Sequence, residues 1–269
     1  MVCESRWSSF RRSQASRRTL GDDVLQHPDG KTSYTEYVER TKDDGDAIVS
    51  YQYAIGLQFE AFGTIEAEML KFFGLASEHY LIDVGCGSGR LTSKIASYLT
   101  GAYLGTDVVP DLLAHASKTA GENPRFRFEV VDAIRIPERD GVADMVCFFS
   151  VFTHLLLEHT YLYLEEATRV LKSGGKIVFS FLEFRMESHW KSFEVMVSDA
   201  RSGNLHPLNV FIDRDAIVGF ARVLGLRIVQ FRDGIHDFVP LPHPVTLDSG
   251  EVVAGAGRLG QSICVLEKP

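Results

Sequence analysis

The segment Leu81-Ile82-Asp83-Val84-Gly85-Cys86-Gly87-Ser88-Gly89-Arg90 carries the clearest chemical signal in the chain: a hydrophobic run passes into a glycine-rich turn and then into a helix. Glycine is required where a backbone turns tightly, adopts positive φ, or lets a ligand approach without a Cβ in the way. Amides at the start of the following helix are then available to a polar ligand. Three further polar residues follow hydrophobic runs in order: Asp107, about 20 residues beyond the glycines, then Asp132, then His154. A histidine in such a position suits general-base chemistry near neutral pH. His, Cys, Asp and Glu are not clustered at ligand-like spacing, so no metal site is expected.

The glycine turn is not the dinucleotide fingerprint GxGxxG. Counted from Gly85, the third glycine of that pattern falls at position 90, which is Arg90, whereas this chain has Gly89 one residue earlier. The pattern is DxGxGxG, with Asp83 as the acid. It resembles motif I of class I S-adenosylmethionine-dependent methyltransferases, and three later segments match that family in order. Asp107 in Tyr103-Leu104-Gly105-Thr106-Asp107 matches the acid at the end of the second strand, where a carboxylate accepts from both ribose hydroxyls. Capping of the helix near Pro110 is the alternative role for it. Asp132 in Val130-Val131-Asp132-Ala133 matches the position that contacts the adenine amino group. The run Ala143 to Leu155 looks like motif IV, and Val170-Leu171-Lys172-Ser173-Gly174-Gly175-Lys176 resembles the turn before the fifth strand.

The resemblance covers Thr64 to Phe181 by motif and the remainder by pattern. It implies a cofactor site formed by Asp83, Gly85, Cys86, Gly87, Gly89, Asp107, Val108, Asp132, Ala133, Phe149 and Ser150, with His154 approaching the acceptor. The cofactor implied is S-adenosyl-L-methionine, leaving S-adenosyl-L-homocysteine as product. The chain has Ser150-Val151-Phe152-Thr153 where amino-methylating nucleic-acid enzymes carry an Asn/Asp-Pro-Pro-Tyr or Phe tetrapeptide, so a small-molecule acceptor is favoured. An oxygen nucleophile leads. A nitrogen nucleophile, or a cofactor-binding module without catalysis, stays open, and a nicotinamide oxidoreductase is remote.

Those residues need a scaffold. Short apolar runs at Tyr80 to Val84, Ala102 to Thr106, Phe126 to Val131, Met145 to Ser150, Ile177 to Phe181, Leu226 to Phe231 and Ser262 to Leu266 alternate with helical patterns. The helices are expected near Tyr34 to Lys42 and at Thr64 to Phe73 (closed by Gly74), Arg90 to Leu99, Pro110 to Thr119, Thr160 to Leu171 and Arg214 to Leu224, the last N-capped by Asp213. Such alternation indicates a doubly wound α/β domain with a mostly parallel sheet. The resemblance sharpens this to a seven-stranded, Rossmann-like sheet of order 3-2-1-4-5-7-6 with the last strand antiparallel. Residues 33–269 are expected to form this domain, behind a poorly ordered basic extension at 1–32. Segments 183–209 and 233–257 are long enough to form substrate lids. The first holds His189, His206, Arg185, Trp190 and Asn209; the second holds His236, Phe238 and His243. Tyr51 and Tyr53 are candidates to cover the cofactor.

Composition bounds the partners. The net charge of −8 disfavours a nucleic-acid substrate, which is held by clustered Lys and Arg. No apolar stretch approaches the roughly 20 residues of a membrane span. Scattered Cys3, Cys86, Cys147 and Cys264 fit a reducing, cytoplasmic setting, and a homodimer is allowed. The first twenty residues hold five arginines and one glutamate, a net +4, so the rest of the chain carries −12. That start suits a transit peptide, a disordered tail or a start codon set too far upstream.

Overall fold

A computed structural model describes residues 58–121, 123–202 and 208–269. The basic extension, the helix expected at Tyr34 to Lys42, Tyr51, Tyr53 and His206 lie outside the described residues.

Helix α1 (Phe59–Phe72) buries Phe59, Ala61, Ile65, Met69 and Leu70 along one stripe. It starts five residues before the expected Thr64, because Phe59 and Ala61 extend that stripe by a turn. Phe73 closes it, and Gly74 follows at φ 102°, with Leu75 N–H donating to Leu70 O at 2.9 Å.

From there strands and helices alternate: β1 (Leu81–Val84), α2 (Arg90–Ile95), β2 (Tyr103–Asp107), α3 (Pro110–Thr119), β3 (Phe126–Val130), β4 (Ala143–Phe148), α4 (Leu157–Val170) and β5 (Leu171–Phe181). Then come α5 (Glu187–Ser202), α6 (Arg214–Leu224) and β6 (Arg227–Arg232). Four two-residue strands follow, β7 (Val239–Pro240), β8 (Val245–Thr246), β9 (Val252–Val253) and β10 (Ala256–Gly257), and β11 (Ser262–Glu267) ends the fold. α2 stops four residues short of the expected Leu99. α4 begins three residues before the expected Thr160. Asp213 does precede α6, but its side chain makes no capping hydrogen bond.

The main sheet has the order β3-β2-β1-β4-β5-β11-β6. Its pairings are parallel except those of β11, which runs antiparallel between β5 and β6. Alternate side chains separate two cores. Leu81, Tyr103, Met145, Cys147, Val178 and Ile263 face α1 and α2. Ile82, Val84, Leu104, Phe148, Phe179 and Cys264 face α4 and α6. All four residues of β1 are buried, as a central parallel strand requires. The carboxyl ends of β1 to β6 therefore share one sheet edge, where an open α/β sheet holds its ligand.

The two long connections differ. Segment 183–209 contains a helix, α5, that the sequence pattern does not predict, and only His189 of that helix is buried. In segment 233–257, β7 pairs with β10 and β8 with β9. Val239, Leu241 and Val245 join the core beside Ile65 of α1 and Phe73 just after it, so much of the segment is packed scaffold.

Candidate cofactor and acceptor site

The glycine turn between β1 and α2 has Gly85, Gly87 and Gly89 at φ 72°, 55° and 93°. An L side chain rarely adopts these angles. The turn closes on its neighbours: Gly85 and Cys86 N–H both donate to Thr106 O at 2.7 and 3.0 Å, and Gly89 N–H donates to Cys86 O at 3.1 Å. Gly87 N–H donates to Asp107 Oδ2 at 3.0 Å. Four of the turn's own amides thus hold its shape, and Val151 and Ala116 close on the Cα positions of Gly85 and Gly89.

Asp107, at the end of β2, also accepts from Val109 N–H through Oδ1 at 2.9 Å. It does not cap α3, whose N-cap Val109 lacks a side-chain bond. A carboxylate has about four acceptor positions, so these two bonds leave capacity for two hydroxyl donors. Burial pushes its carboxyl up to about 6, against the Val109 and Gly87 amides that favour the charged form. Val131 N–H donates to Asp107 O at 3.0 Å, tying the end of β3 to the same spot. Asp132 and Ala133 follow at once and are exposed, and Val108 is half-buried.

Asp83 is turned inward. It is 3% exposed and accepts from the Tyr103 hydroxyl at 2.7 Å and the Cys147 thiol at 3.5 Å. Burial raises its carboxyl to about 7. Tyr103 hydroxyl and Thr92 Oγ1 lie 2.8 Å apart, so the chain Asp83–Tyr103–Thr92 braces β1, β2 and α2 from beneath the turn. Cys86 is also buried and packs toward Leu113, Ala116 and Phe128.

On the other side of the turn, Val151 follows β4. A Cβ on Gly85 would sit 2.5 Å from its Cγ2, so the glycine turn and the motif IV loop are in contact. Phe149 is buried in the α1-side core. Ser150 takes left-handed φ 58°, its N–H donates to Ser180 Oγ at 2.7 Å, and its Oγ accepts from Gln261 Nε2 at 3.1 Å. His154 closes a 3₁₀ turn over Phe152–His154 and is half-buried. Its Nδ1 lies 2.7 Å from Leu208 O, and Val210 N–H donates to Thr153 O at 2.7 Å. Because a carbonyl only accepts, Nδ1 carries the proton in this hydrogen bond. His189 is different: Nε2 donates to Gly260 O at 2.9 Å and Nδ1 accepts from Glu183 N–H at 3.0 Å, which makes it a buried brace.

Asp107, the glycine turn and the β4 loop meet at the carboxyl edge beside β1, the strand flanked by β2 and β4. The sheet order and a site at this edge are those of the Rossmann-like fold that the resemblance of the glycine motif implies. Residues 82–179, from β1 through β5, match the family model described as a methyltransferase domain. A malonyl-[acyl-carrier protein] O-methyltransferase of Geobacter sulfurreducens is 28% identical over 156 residues, covering 57% of this chain and 57% of that protein. The chain thus spans little more than half the length of that relative. A ribosomal protein L11 methyltransferase of Clostridium botulinum is 28% identical over 126 residues, 45% of this chain and 39% of that one. Among solved structures, magnesium protoporphyrin IX methyltransferase from Synechocystis with bound S-adenosylhomocysteine aligns at TM-score 0.58 and 16% identity, covering 90% of this chain and all of that one. That last match is a likeness of fold.

The site fits such a cofactor on its own features. Ser88 Oγ on the turn is buried without a hydrogen-bond partner, and Asp107 beside it keeps acceptor capacity.

Proposed function

We propose that this protein transfers the methyl group of S-adenosylmethionine to a small-molecule acceptor through an oxygen atom. The observation that carries this reading is the Asp107 carboxylate 3.0 Å from the Gly87 amide, on a glycine turn at the carboxyl edge of the central strands. Asp107 would take the ribose hydroxyls, Asp132 the adenine amino group, and Phe149 and Ser150 the far side of the pocket.

The cofactor supplies an electrophilic methyl on a sulfonium, whose sulfur departs neutral. The protein therefore has no acid work at the leaving group, and its task is alignment. Holding nucleophile, methyl carbon and sulfur in line is worth on the order of 7–11 kcal/mol. His154 removes the hydroxyl proton through Nε2, with Leu208 O holding the ring in that tautomer. Such general-base assistance contributes roughly 10²- to 10⁴-fold.

Titration calorimetry with S-adenosylhomocysteine and single-turnover assays with labelled cofactor test this together. Asp107→Ala should weaken homocysteine-adduct binding by about 10- to 100-fold, the worth of one or two charge-assisted hydrogen bonds. His154→Gln should leave that affinity in place and slow transfer to an oxygen acceptor by at least about 10²-fold. Absence of binding in the unaltered protein, or unchanged affinity in Asp107→Ala, removes the reading.

A further inference from the structure

A second recess opens at the same sheet edge, past the end of β5 and at the end of β6. It encloses about 310 Å³ and is lined by Arg185, Arg214, Phe231, Arg232, Asp233, His236 and Phe238. Three arginines around one cavity stand out in a chain of net charge −8.

Their partners are unequal. Arg214 is held by two carboxylates: Nε and Nη2 donate to Glu183 Oε2 and Oε1 at 3.0 and 2.7 Å, and Nη2 also pairs with Asp233. Glu183 is 1% exposed and takes a further bond from Ser262 Oγ at 2.5 Å, so this cluster is the rigid back wall. Arg232 has a buried Nε without a hydrogen-bond partner, and no ion pair to Arg185 or Arg232 is found among the described residues. Asp233, the one acid on the cavity wall, is claimed first by Arg214. Its carboxyl lies below the usual range because of Arg214's hydrogen bond and charge, to which Arg185 and His236 add. The wall therefore holds more positive charge than its acids neutralise.

Aromatic rings lie beneath two of the guanidinium groups. Arg214 lies over the Phe231 ring at 5.0 Å and Arg232 over Phe238 at 5.5 Å. A guanidinium stacked by its face keeps its N–H edge for in-plane bonds, which match the oxygens of a carboxylate or phosphate. Buried polar groups are almost always paired, so the unpartnered Arg232 Nε marks a place for an acceptor.

We propose that this cavity binds an oxyanion, carboxylate or phosphate, through Arg185 and Arg232, and that it holds the acidic group of the methyl acceptor. The second half rests on the function proposed above. The link to the transfer site is physical: Gln261 bonds Ser150 on one side, and its backbone packs against Gly234 on the other. β4 and β6 are three strand positions apart, about 14 Å. The acceptor is therefore an elongated acid whose anionic end lies on the order of 10 Å or more from the methylated atom.

The test uses the full chain and two probes, inorganic phosphate and succinate, each titrated at ionic strength held constant with chloride. Saturable binding of at least one is expected by calorimetry and thermal shift, and which one binds separates a phosphate from a carboxylate site. Arg185→Gln and Arg232→Gln should each weaken that binding at least about tenfold and leave S-adenosylhomocysteine affinity unchanged. Arg185 is exposed, so its variant folds even if the Arg232 variant does not. Failure of both anions to bind beyond chloride, or unaltered affinity in Arg185→Gln, overturns the site. Anion binding by a protein that ignores S-adenosylhomocysteine keeps the oxyanion site and overturns its link to methyl transfer.

Discussion

Asp83 and Asp107 sit one strand apart, and burial raises both carboxyls, to about 7 and about 6. For Asp83 the ionised form is disfavoured in the folded state relative to the unfolded chain, so the folded state retains its proton over a range where the unfolded chain has lost it. Stability from this group is then highest below pH 4 and falls as pH rises toward 7. Asp83→Asn removes that slope. Relative to the unaltered protein, the variant should gain on the order of 2 kcal/mol between pH 5 and pH 8, measured as the difference between urea titrations at the two values. Parallel pH profiles would show that Asp83 titrates as an ordinary carboxyl. At this scale, the spacing of Asp83, Asp107 and Asp132 after successive hydrophobic runs was legible from the chain. The Asp83–Tyr103 bond was not, because it depends on the parallel register that pairs Leu81 with Tyr103 and sets the tyrosine on the face of Leu81 and Asp83. The arginine cavity was invisible for the same reason: its charged residues lie in three separate stretches of chain, at 185, 214 and 232–233.

Among elements, the contact between α1 and α2 sets the position of the glycine turn. A Cβ built on Gly63 would lie 2.6 Å from Arg90 O, a backbone atom that cannot step aside. Glu66, buried one turn later on α1, binds the Arg90 guanidinium, with Nε 3.2 Å from Oε2. Gly63→Ala brings two opposed effects. Alanine favours a helix interior over glycine by about 1 kcal/mol, while forcing a methyl into a closed contact costs about 1–3 kcal/mol and shifts backbone. Here the neighbour is main chain, so the cost wins: the melting temperature should fall by several degrees in calorimetry, and a rise would refute the close approach. Elements whose apolar stripe is carried by their own residues, such as α3 and α6, were legible to the residue. α5 was not. Its side chains bury only His189, and Phe184, Trp190, Phe193 and Phe211 pack on one another near the surface, a pattern that lacks the stripe marking a helix laid on a core.

For the molecule as a whole, the alternation of apolar runs and helical patterns made a doubly wound α/β domain readable, while the place of the final strand came from family resemblance alone. A strand's sequence states that it is buried on both faces; it does not state between which neighbours. β11 lies between β5 and β6, with Ser262 through Leu266 buried. β11 is thus an interior element of the sheet. A chain stopped at Gln261 loses the burial of Ile263, Val265 and Leu266, on the order of 5–9 kcal/mol at about 1.5–3 kcal/mol per large side chain. That is comparable with the entire stability of a typical domain, about 5–15 kcal/mol. It also strips β6 of its partner and removes the Ser262 bond to Glu183 behind the arginine cavity. This truncated chain should show no cooperative urea transition by circular dichroism and no affinity for S-adenosylhomocysteine. A chain stopped at Glu267 loses the Lys268 bonds to Thr168 O, Leu171 O and Gly175 O and the Gly174 N–H bond to Lys268 O. It should keep a cooperative transition at a lower urea midpoint, since those bonds tie the end of α4 to the sheet without filling it. Equal cooperativity in the two truncations would mean that the sheet closes without β11, and the topology that gathers both sites on one edge would have to be redrawn.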